Sequence, residues 1–485
     1  MKLKKIQALM LAGVLLAGTG CTKSKQTDND EIVEVTWYMM KANDNMSSQE
    51  LVEKEVNKIL EKEIGVHLKL KLIETGAWDE KMNMILTSGE DFDICMTSHT
   101  GPTSIITNVK RDAFLDLTDL LEKYAPDIRK KLSQKAWHSV TFDGKIMAIP
   151  SQAKYVPDSE YVFKKDLVEK YGFDYQNVKS MKDLIPYCET ILANETGVIP
   201  LDASVSEPAT KDYTETVVSG IMFDENAEKF VREVDVRKEE YRLKHDFYLK
   251  GYIPKDAFTK EQGSEQKSGK YAVLPTIGAY TEDGSKATAY YGFPCVEVLT
   301  GQGRIPPQNM MSGNAISVNC KHPEKVVQML NLIWKEPYLS NTLAYGLEGV
   351  NYTVTSGTTD EDKHVEPQSG SASTWTLWHN WIGPLFDQWD SPWNSREALK
   401  KMEEDNENGI ESKTCGFMMD IEPVETEIAA LSEVVKSSGK VLSNGNMDDF
   451  DTYFQDVEKK LTEAGIDDIL NEFNRQYDEW KASSK

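Results

Sequence analysis

The sequence predicts an α/β protein with more than one domain, and three observations support that prediction. The chain has 485 residues, which exceeds the usual size of one domain, and its 40% hydrophobic content is enough to build real cores. Its first part alternates strand-like and helix-like segments. This alternation is typical of a parallel sheet with helices on its faces.

Residues 1–30 have the layout of a secreted and anchored start. A basic beginning, an apolar stretch and a group of small residues indicate a signal peptide over residues 1–20, too short for a permanent membrane span. The next residue, Cys21, resembles the lipid-bearing cysteine of a bacterial lipobox, although Gly18 stands where a leucine is usual. We expect lipidation at Cys21, with simple secretion as the alternative. Residues 21–30 lack apolar side chains to bury and predict a flexible tether.

The first run of elements predicts strand, helix, strand, helix, strand. The strands show period-two alternation, and the helices carry apolar residues at three- and four-residue spacing, with Gly65 and Gly89 at their ends. The segments are EIVEVTWYMM (31–40), SSQELVEKEVNKILEKEIGV (47–66), HLKLKLIE (67–74), WDEKMNMILTSGE (78–90) and DFDICMT (91–97).

Two further segments complete this first run. FLDLTDLLEKYAP (114–126) predicts a helix that Pro126 closes. TFDGKIMAIPSQ (141–152) predicts a turn at Asp143-Gly144 and then a strand that ends at Pro150.

A second run of elements begins after residue 152. Pro323 indicates a helix start and Gly346 a helix stop. The predicted elements are helices at 165–172 and 181–193, an acidic helix over 225–250, a turn and strand at 268–276, a strand at 313–320, a helical pair over 322–346 and a mostly helical tail over 421–480.

The formal charge of −24 excludes some classes of partner. Nucleic acids and anionic membrane surfaces require basic patches, so neither is expected as a partner. Besides Cys21 the chain has five cysteines without paired spacing, which we expect to be free and mostly buried thiols (Cys95, Cys188, Cys295, Cys320 and Cys415).

Motifs of catalysis are missing from the sequence. It has no HExxH or GxSxG motif and no histidine or cysteine spacing typical of a metal site, so we predict no cofactor, no metal and no enzyme. GSEQKSGKY (263–271) departs from a phosphate-binding loop, and the acidic runs at 360–364 and 448–451 lack the calcium-loop spacing. A glycosidase pair of carboxylates leaves no motif, so an extracellular polysaccharide hydrolase stays open as an alternative.

Several motifs, in their order along the chain, resemble one family. They are GEDFDI, FLDLTDLLEKYAPD, DGKIMAIP, NCKHPEKVVQMLNLIW, GLEGVNY (346–352) and EAGIDDILNEFNRQYDEW (463–480). With the anchored start, they resemble the extracellular solute-binding lipoproteins of ABC importers, in a Gram-positive subgroup of the carbohydrate-binding, family 1-like receptors. The resemblance covers almost the whole chain after the signal peptide.

The resemblance implies a two-lobed, periplasmic-binding-protein-like fold of type II, with hinge crossovers and a helical C-terminal region. DGKIMAIPSQ would be the first crossover, GNAISV would lead back, and ligand would lie between the lobes, which close by hinge motion. The implied division places residues 31–150 and 312–370 in lobe one, and residues 151–311 and 371–485 in lobe two, with the C-terminal helices packed mainly on lobe two.

One segment concentrates the residue types that hold sugars. STWTLWHNWIGPLFDQWDSPWN (373–394) contains five of the ten tryptophans, interleaved with amides and carboxylates. A sugar has apolar C–H faces and a rim of hydroxyls, which aromatic rings and fixed polar groups satisfy in a partly dry cleft. We select Trp378, Trp381, Asn380 and Trp375 as ligand-binding candidates; packing between the lobes is the alternative for any single ring.

Strand ends and the first crossover supply the other candidates, because ligands of open α/β sheets gather beyond the carboxyl ends of the strands. Asp93 and Glu348 are expected to have structural roles and are not selected. The selected residues are Trp37 and Tyr38 at the end of the first strand, Ser98 and His99 after DFDICM, and Gln152 and Tyr155 just past the first crossover.

These expectations describe a lipid-anchored receptor on the outer face of the membrane of a Gram-positive bacterium. It is expected to be a monomer that binds a sugar or oligosaccharide and delivers it to the permease subunits of an ABC importer. A peptide or other small-solute binding protein of the same fold and a surface adhesin remain alternatives, beside the hydrolase.

Overall fold

The computed structural model describes residues 32–42, 45–257, 265–278, 280–310, 312–368, 375–392 and 394–483. The predicted signal peptide, the tether, Cys21 and Trp393 lie outside the described residues. Within those ranges, no helix is long and apolar enough to cross a membrane.

The strands alternate with helices along much of the chain. In chain order they are β1 (Val33–Met40), β2 (Val66–Ile73), β3 (Ile94–Thr97), β4 (Thr141–Phe142), β5 (Lys145–Ile146), β6 (Ile149–Pro150), β7 (Asp158–Lys164), β8 (Ile199–Leu201), β9 (Tyr213–Glu215), β10 (Ile221–Asp224), β11 (Lys229–Arg232), β12 (Tyr271–Leu274), β13 (Cys295–Gln302), β14 (Gly313–Ile316), β15 (Tyr352–Ser356) and β16 (His364–Pro367).

The α-helices become longer and more frequent toward the C-terminus. They are α1 (Gln49–Ile64), α2 (Trp78–Ser88), α3 (Ile105–Lys110), α4 (Thr118–Tyr124), α5 (Pro126–Lys131), α6 (Gln134–Ser139), α7 (Lys165–Tyr171), α8 (Ile185–Asn194), α9 (Glu233–Val236), α10 (Lys238–Leu249), α11 (Ser285–Tyr291), α12 (Pro307–Met310), α13 (Pro323–Lys335), α14 (Pro337–Tyr345), α15 (His379–Ile382), α16 (Arg396–Asn408), α17 (Glu425–Asn444), α18 (Phe450–Glu463) and α19 (Ile466–Ser483).

Lobe one is built on a five-stranded sheet in the order β2-β1-β3-β14-β6. β1 runs parallel to β2 and β3, and β14 runs antiparallel to β3 and β6. The alternation in β1 buries Val35, Trp37 and Met39 on one face. Helix α1 covers the sheet and ends at Gly65 in the left-handed conformation. The predicted strand–helix–strand order is confirmed here.

Lobe two is built on a four-stranded sheet in the order β13-β7-β12-β8. Its two faces carry separate hydrophobic clusters, one that includes Phe163 and Tyr187 and another around Tyr271 and Tyr291. Helix α11 packs on β13. These two clusters are distinct from the core of lobe one, so the chain forms the two-lobed α/β fold that the sequence predicts.

A third sheet, β11-β10-β9, packs against the C-terminal helices. The cluster contains Phe223 and Phe230 from this sheet and Phe454, Phe473 and Tyr477 from α18 and α19. The tail is helical as predicted. The acidic helix expected over 225–250 is partly wrong, because β11 occupies residues 229–232 before α9 begins.

Local turn chemistry accounts for several boundaries. Asp143 and Gly144 both have positive φ, 50° and 79°, and join β4 to β5 as predicted. Pro126 does not close a helix: it occupies the first position of α5, where a missing N–H costs nothing. The five cysteines after the tether are free; Cys320 is half-buried and the others are buried, as predicted.

Three segments connect the lobes. The first crossing, residues 151–157, leads from β6 in lobe one to β7 in lobe two. The second crossing, residues 303–310, leaves β13 toward β14. The third crossing, residues 409–415, pairs with the second, because Ile305 donates its N–H to Ile410 and Ser412 donates back to Ile305.

The segment at 375–382 packs in lobe one, whereas the predicted division places it in lobe two. Trp375, Leu377 and Ile382 are fully buried in the hydrophobic core of lobe one, together with residues of α13 and α14. The physical reason is the close packing of this segment against α14: Leu377 donates its backbone N–H to Ala344.

Candidate functional site

Asn314 organises the carboxyl-end edge of the lobe-one sheet. It lies on β14 one residue after Gly313, which pairs with Thr97 at the end of β3. Its amide oxygen accepts a hydrogen bond from Trp37 Nε1 at 2.9 Å, and its amide nitrogen donates to the Trp381 carbonyl at 3.0 Å. An amide side chain supplies a donor and an acceptor at once. Asn314 thus holds α15 at the sheet edge where ligands of α/β folds gather.

Two tryptophans form an exposed stack at this edge. The Trp378 and Trp381 ring centroids lie 5.3 Å apart, and their planes differ by 21°. Trp381 is half-buried against the lobe-one core, whereas Trp378 is 55% exposed. Asn380 lies between them in sequence and is half-buried. An indole held by a second ring and open on its outer side offers a flat apolar surface to a ligand.

Gly383 and a buried histidine shape the backbone that carries these rings. Gly383 has φ 138°, and an added Cβ would approach Trp334 Nε1 to 2.5 Å, so only glycine fits. His379 is buried, and burial lowers its pKa to about 3. Its Nε2 bonds to Asn341 Oδ1 at 3.0 Å. Because Asn341 Oδ1 only accepts, the imidazole donates from Nε2 and stays neutral.

Two of the predicted ligand-binding rings lie in the core. Trp37 is 0% exposed and Trp375 is 1% exposed. Trp37 donates to Asn314, and Trp375 Nε1 donates to the Leu343 carbonyl at 2.8 Å. Trp37 therefore supports the sheet edge at β14, and Trp375 fixes the aromatic segment to α14. Neither ring presents a face to a ligand in this structure. The period-two pattern of β1 already directs Trp37 inward with Val35.

Ser98 and His99 directly follow β3, whereas Tyr38 lies within β1, level with Cys95 of β3, and all three residues are half-buried. Tyr38 meets Phe92 edge-to-face at 6.1 Å, and burial, followed by the nearby Glu90 carboxylate, raises the pKa of Tyr38. Ser98 donates its hydroxyl to the Thr100 carbonyl within the loop that leads to α3. Burial lowers the pKa of His99. These three residues keep partial access to solvent.

Gln152 and Tyr155 fasten the first crossing to its surroundings. Gln152 accepts from the Phe386 N–H at 3.0 Å, and its own N–H donates to the Gly383 carbonyl at 2.8 Å. Tyr155 donates its hydroxyl to the Ser151 carbonyl at 2.7 Å. Both side chains are buried, at 5% and 4% exposure. The Tyr155 hydroxyl satisfies a backbone group within the crossing, and the Gln152 side chain satisfies the Phe386 N–H outside it, as buried irregular segments require.

A cavity of roughly 460 Å³ lies beside the first crossing, between α5 and α16. Gln152 and Tyr155 form part of its wall, with an ion pair between Lys131 and Asp387 at 2.5 Å. Burial, followed by Glu407, raises the pKa of Glu403 in the same wall. The wall of this cavity is mainly polar and charged, with Tyr155 and Phe386 as its two aromatic residues.

Lobe two contributes a lysine that the sequence analysis did not select. Lys286 Nζ on α11 donates to Asn394 Oδ1 at 3.0 Å. Asn394 in turn donates to Gln388 Oε1 at 3.2 Å, next to Trp389, which is buried against Tyr345 in lobe one. Sequence reasoning missed Lys286 because a single lysine in SKATAYY carries no motif. In the described ranges, no group of three or more His, Cys, Asp or Glu is placed to hold a metal ion.

Comparison with known proteins gives two family matches. Residues 43–333 match the family described as bacterial extracellular solute-binding protein. Residues 413–482 match a domain of unknown function that corresponds to the end of the third crossing and helices α17, α18 and α19.

Two proteins of Streptococcus pneumoniae are similar in sequence. One, named carbohydrate ABC transporter substrate-binding protein, is 25% identical over 98% of this chain and 97% of its own length. The other, the fructooligosaccharide ABC transporter substrate-binding protein FusA, is 23% identical over 57% of this chain and 56% of its own length.

The crystal structure of an N-glycan transport solute binding protein (NgtS) from S. pneumoniae has a TM-score of 0.79 and 25% identity, covering 93% of this chain and 100% of that one. The same protein in complex with Man5GlcNAc has a TM-score of 0.66 at 24% identity, covering 93% and 99% of the two chains.

Proposed function

This chain belongs to the family of bacterial extracellular solute-binding proteins, and from that premise we propose that it binds a sugar or oligosaccharide between its lobes and delivers it to an ABC importer. The relatives named above are carbohydrate receptors of such importers. The proposal for this chain rests on its own site as well as on those names.

The observation that carries the proposal is the Trp378–Trp381 stack. Trp378 is 55% exposed and stacks on the half-buried Trp381, so the two rings form an exposed apolar patch of the kind that marks binding sites. The outer face of that ring is apolar and flat, and matches the C–H face of a pyranose or furanose ring. Asn380 and the half-buried residues Tyr38, Ser98 and His99 are the proposed partners of the sugar hydroxyls.

Binding follows from the two-lobed architecture. A ligand that stacks on lobe one presents its hydroxyls to lobe two, and motion about the three crossings brings the second wall into contact. Closure excludes water and strengthens each polar contact. Trp37, Trp375, Gln152 and Tyr155 act in this proposal as supports of the cleft, because they are buried.

The proposed location of the protein and its proposed protein partners follow from its first residues. We propose that Cys21 carries a lipid and holds a monomeric receptor on the outer face of the cell membrane of a Gram-positive bacterium, where it meets the permease subunits. The signal-like residues 1–20 and the polar stretch after Cys21 support this proposal. We also propose that the bound sugar leaves the protein chemically unchanged.

A thermal-shift screen of the purified protein tests the function. The panel contains mono- and oligosaccharides, with amino acids and short peptides as controls. A ligand that binds only the folded state raises the melting temperature by mass action, so one class of saccharide should give a shift that grows with concentration. A shift with peptides alone would overturn the sugar proposal, and slow release of reducing sugar would overturn the proposal that the ligand is unchanged.

A further inference from the structure

Lys286 joins the two lobes directly, outside the crossings. It occupies the first turn of α11 in lobe two, and its ammonium group reaches Asn394 Oδ1 at 3.0 Å. Asn394 belongs to the loop that lobe one holds: the Asn394 N–H donates to the Ser391 carbonyl at 3.2 Å, and Ser391 Oγ lies 3.2 Å from the Tyr345 hydroxyl. The contact therefore ties lobe two to the aromatic segment that carries Trp378 and Trp389.

Two buried glutamates of lobe two favour the charged form of Lys286. Glu160 on β7 and Glu297 on β13 lie on one face of the sheet, because Glu160 pairs with Leu299, two residues beyond Glu297. Both glutamates are 3% exposed, and one oxygen of each carboxylate is buried without a hydrogen-bond partner. Their other oxygens accept from Thr276 and Thr281, each at less than 3 Å.

The first crossing brings a second positive charge, Lys154, to the same place. Lys154 forms an ion pair with Asp158 and donates to the Gly278 carbonyl at 3.1 Å. Burial, and then the Lys154 charge, lower the pKa of Lys286 to about 8. Burial and the Glu160 charge raise the pKa of Glu297 to about 7, against the hydrogen bond from Thr281. The charges that face Lys286 are thus Glu160, Glu297 and Lys154.

We propose that Lys286 is a positioning residue of the binding cleft, whose hydrogen bond to Asn394 limits the opening of the lobes and holds the aromatic segment ready for ligand. A contact between lobes in the ligand-free protein narrows the range of interlobe distances. Fewer unproductive arrangements then compete with the binding-competent one, and the apparent affinity rises. The effect on affinity rests on the proposed function; the effect on interlobe distance does not.

The distance test uses spin labels on the two lobes of ligand-free protein. Lys58→Cys in lobe one and Lys170→Cys in lobe two are suitable, since their side chains are 59% and 55% exposed. Cys21→Ser and Cys320→Ser remove the other reactive thiols. Lys286→Met should broaden the interlobe distance distribution, and Asn394→Ala should broaden it equally, with no further change in the double variant. Lys182→Met, an exposed lysine of lobe two, is the matched control and should change nothing.

The pH dependence separates this role from a packing role. The distance distribution should broaden between pH 7 and 9 as Lys286 loses its proton, because the ammonium donor is stronger than the amine. Lys286→Arg keeps the charge and should stay narrow to pH 9. Lys286→Met should be equally broad at both pH values. A distribution that is independent of both the substitutions and pH would overturn the proposal.

The affinity test uses whichever saccharide the thermal-shift screen identifies. Lys286→Met should weaken binding about tenfold, the size expected when one charged hydrogen bond is lost. Unchanged or tighter binding, with an unchanged melting temperature, would overturn the positioning role. If no saccharide binds, the proposed function fails. The distance measurement still tests whether the contact between Lys286 and Asn394 limits the opening of the lobes.

Discussion

Trp378 is a large aromatic side chain that the fold leaves 55% exposed. Its neighbour Trp381 supports it from one side, and its other side is open at the sheet edge. The ring contributes to a binding surface and little to the core. Buried Trp375, only three residues earlier, has the opposite role.

Trp378→Ala should therefore separate affinity from stability. Loss of one stacked face should weaken saccharide binding tenfold or more, which corresponds to about 1.4 kcal/mol or more. The melting temperature should change little, because the ring is largely exposed. Calorimetric titration and thermal unfolding measure the two quantities. Trp381→Ala should also weaken binding at least tenfold, with a somewhat larger loss of stability because that ring is half-buried.

Leu249→Ala serves as the control for both tryptophans, since Leu249 is 64% exposed at the end of α10, a helix that carries none of the proposed ligand-binding residues. It should bind as the wild type does. If both tryptophan variants bind normally, the stack is a packing feature and the proposed site is wrong.

The buried imidazole of His379 should make the stability of the folded protein sensitive to acid. Its pKa of about 3 lies below the ordinary value of 6.5, so the folded protein binds fewer protons than the unfolded chain between these pH values. Stability present above about pH 6.5 is then lost as the pH falls toward 3. The loss approaches about 1.4 kcal/mol for each pH unit in that interval.

His379→Gln retains a donor for Asn341 and cannot become charged. As the pH falls from 6.5 to 4, the free energy of unfolding of this variant, measured by urea titration, should rise steadily relative to that of the wild type. Parallel pH profiles for the two proteins would show that His379 does not carry the acid sensitivity.

At the scale of elements, α1 protects the outer edge of the lobe-one sheet. β2 is the edge strand, and Asn57 of α1 both accepts from the Leu68 N–H at 2.7 Å and donates to the Leu68 carbonyl at 2.9 Å. Glu53 accepts from the Leu70 N–H at 2.8 Å. These side chains occupy backbone groups that another strand would otherwise pair with.

Asn57→Ala should lower the free energy of unfolding by about 1–3 kcal/mol, because it leaves a buried donor and acceptor of β2 unpaired. Urea unfolding measures this change, and light scattering should show more self-association through the freed edge. Asn83→Ala on α2 is exposed and should change stability by less than about 0.5 kcal/mol. Equal stability of the two variants would contradict the edge-protection argument.

At the scale of the whole molecule, the path of the chain decides how the lobes are composed. The first lobe is assembled from two separate stretches of the sequence: β1, β2 and β3 come from its start, whereas β14, α13, α14 and the aromatic segment come after the second crossing. Sequence patterns describe neighbours along the chain, so they predicted β1 to β3 well and assigned residues 375–382 to the wrong lobe.

The sequence by itself determined the α/β class, the main helices and strands, the C-terminal helical region and the segment that carries the exposed stack, because these depend on local periodicity, on glycine and proline, and on composition. Only the tertiary structure decided which tryptophans are buried, that Gln152 and Tyr155 support the first crossing, and that Lys286 meets Asn394 across the lobes. Burial and contacts between residues far apart depend on how sheets and helices pack, and no local pattern records that packing.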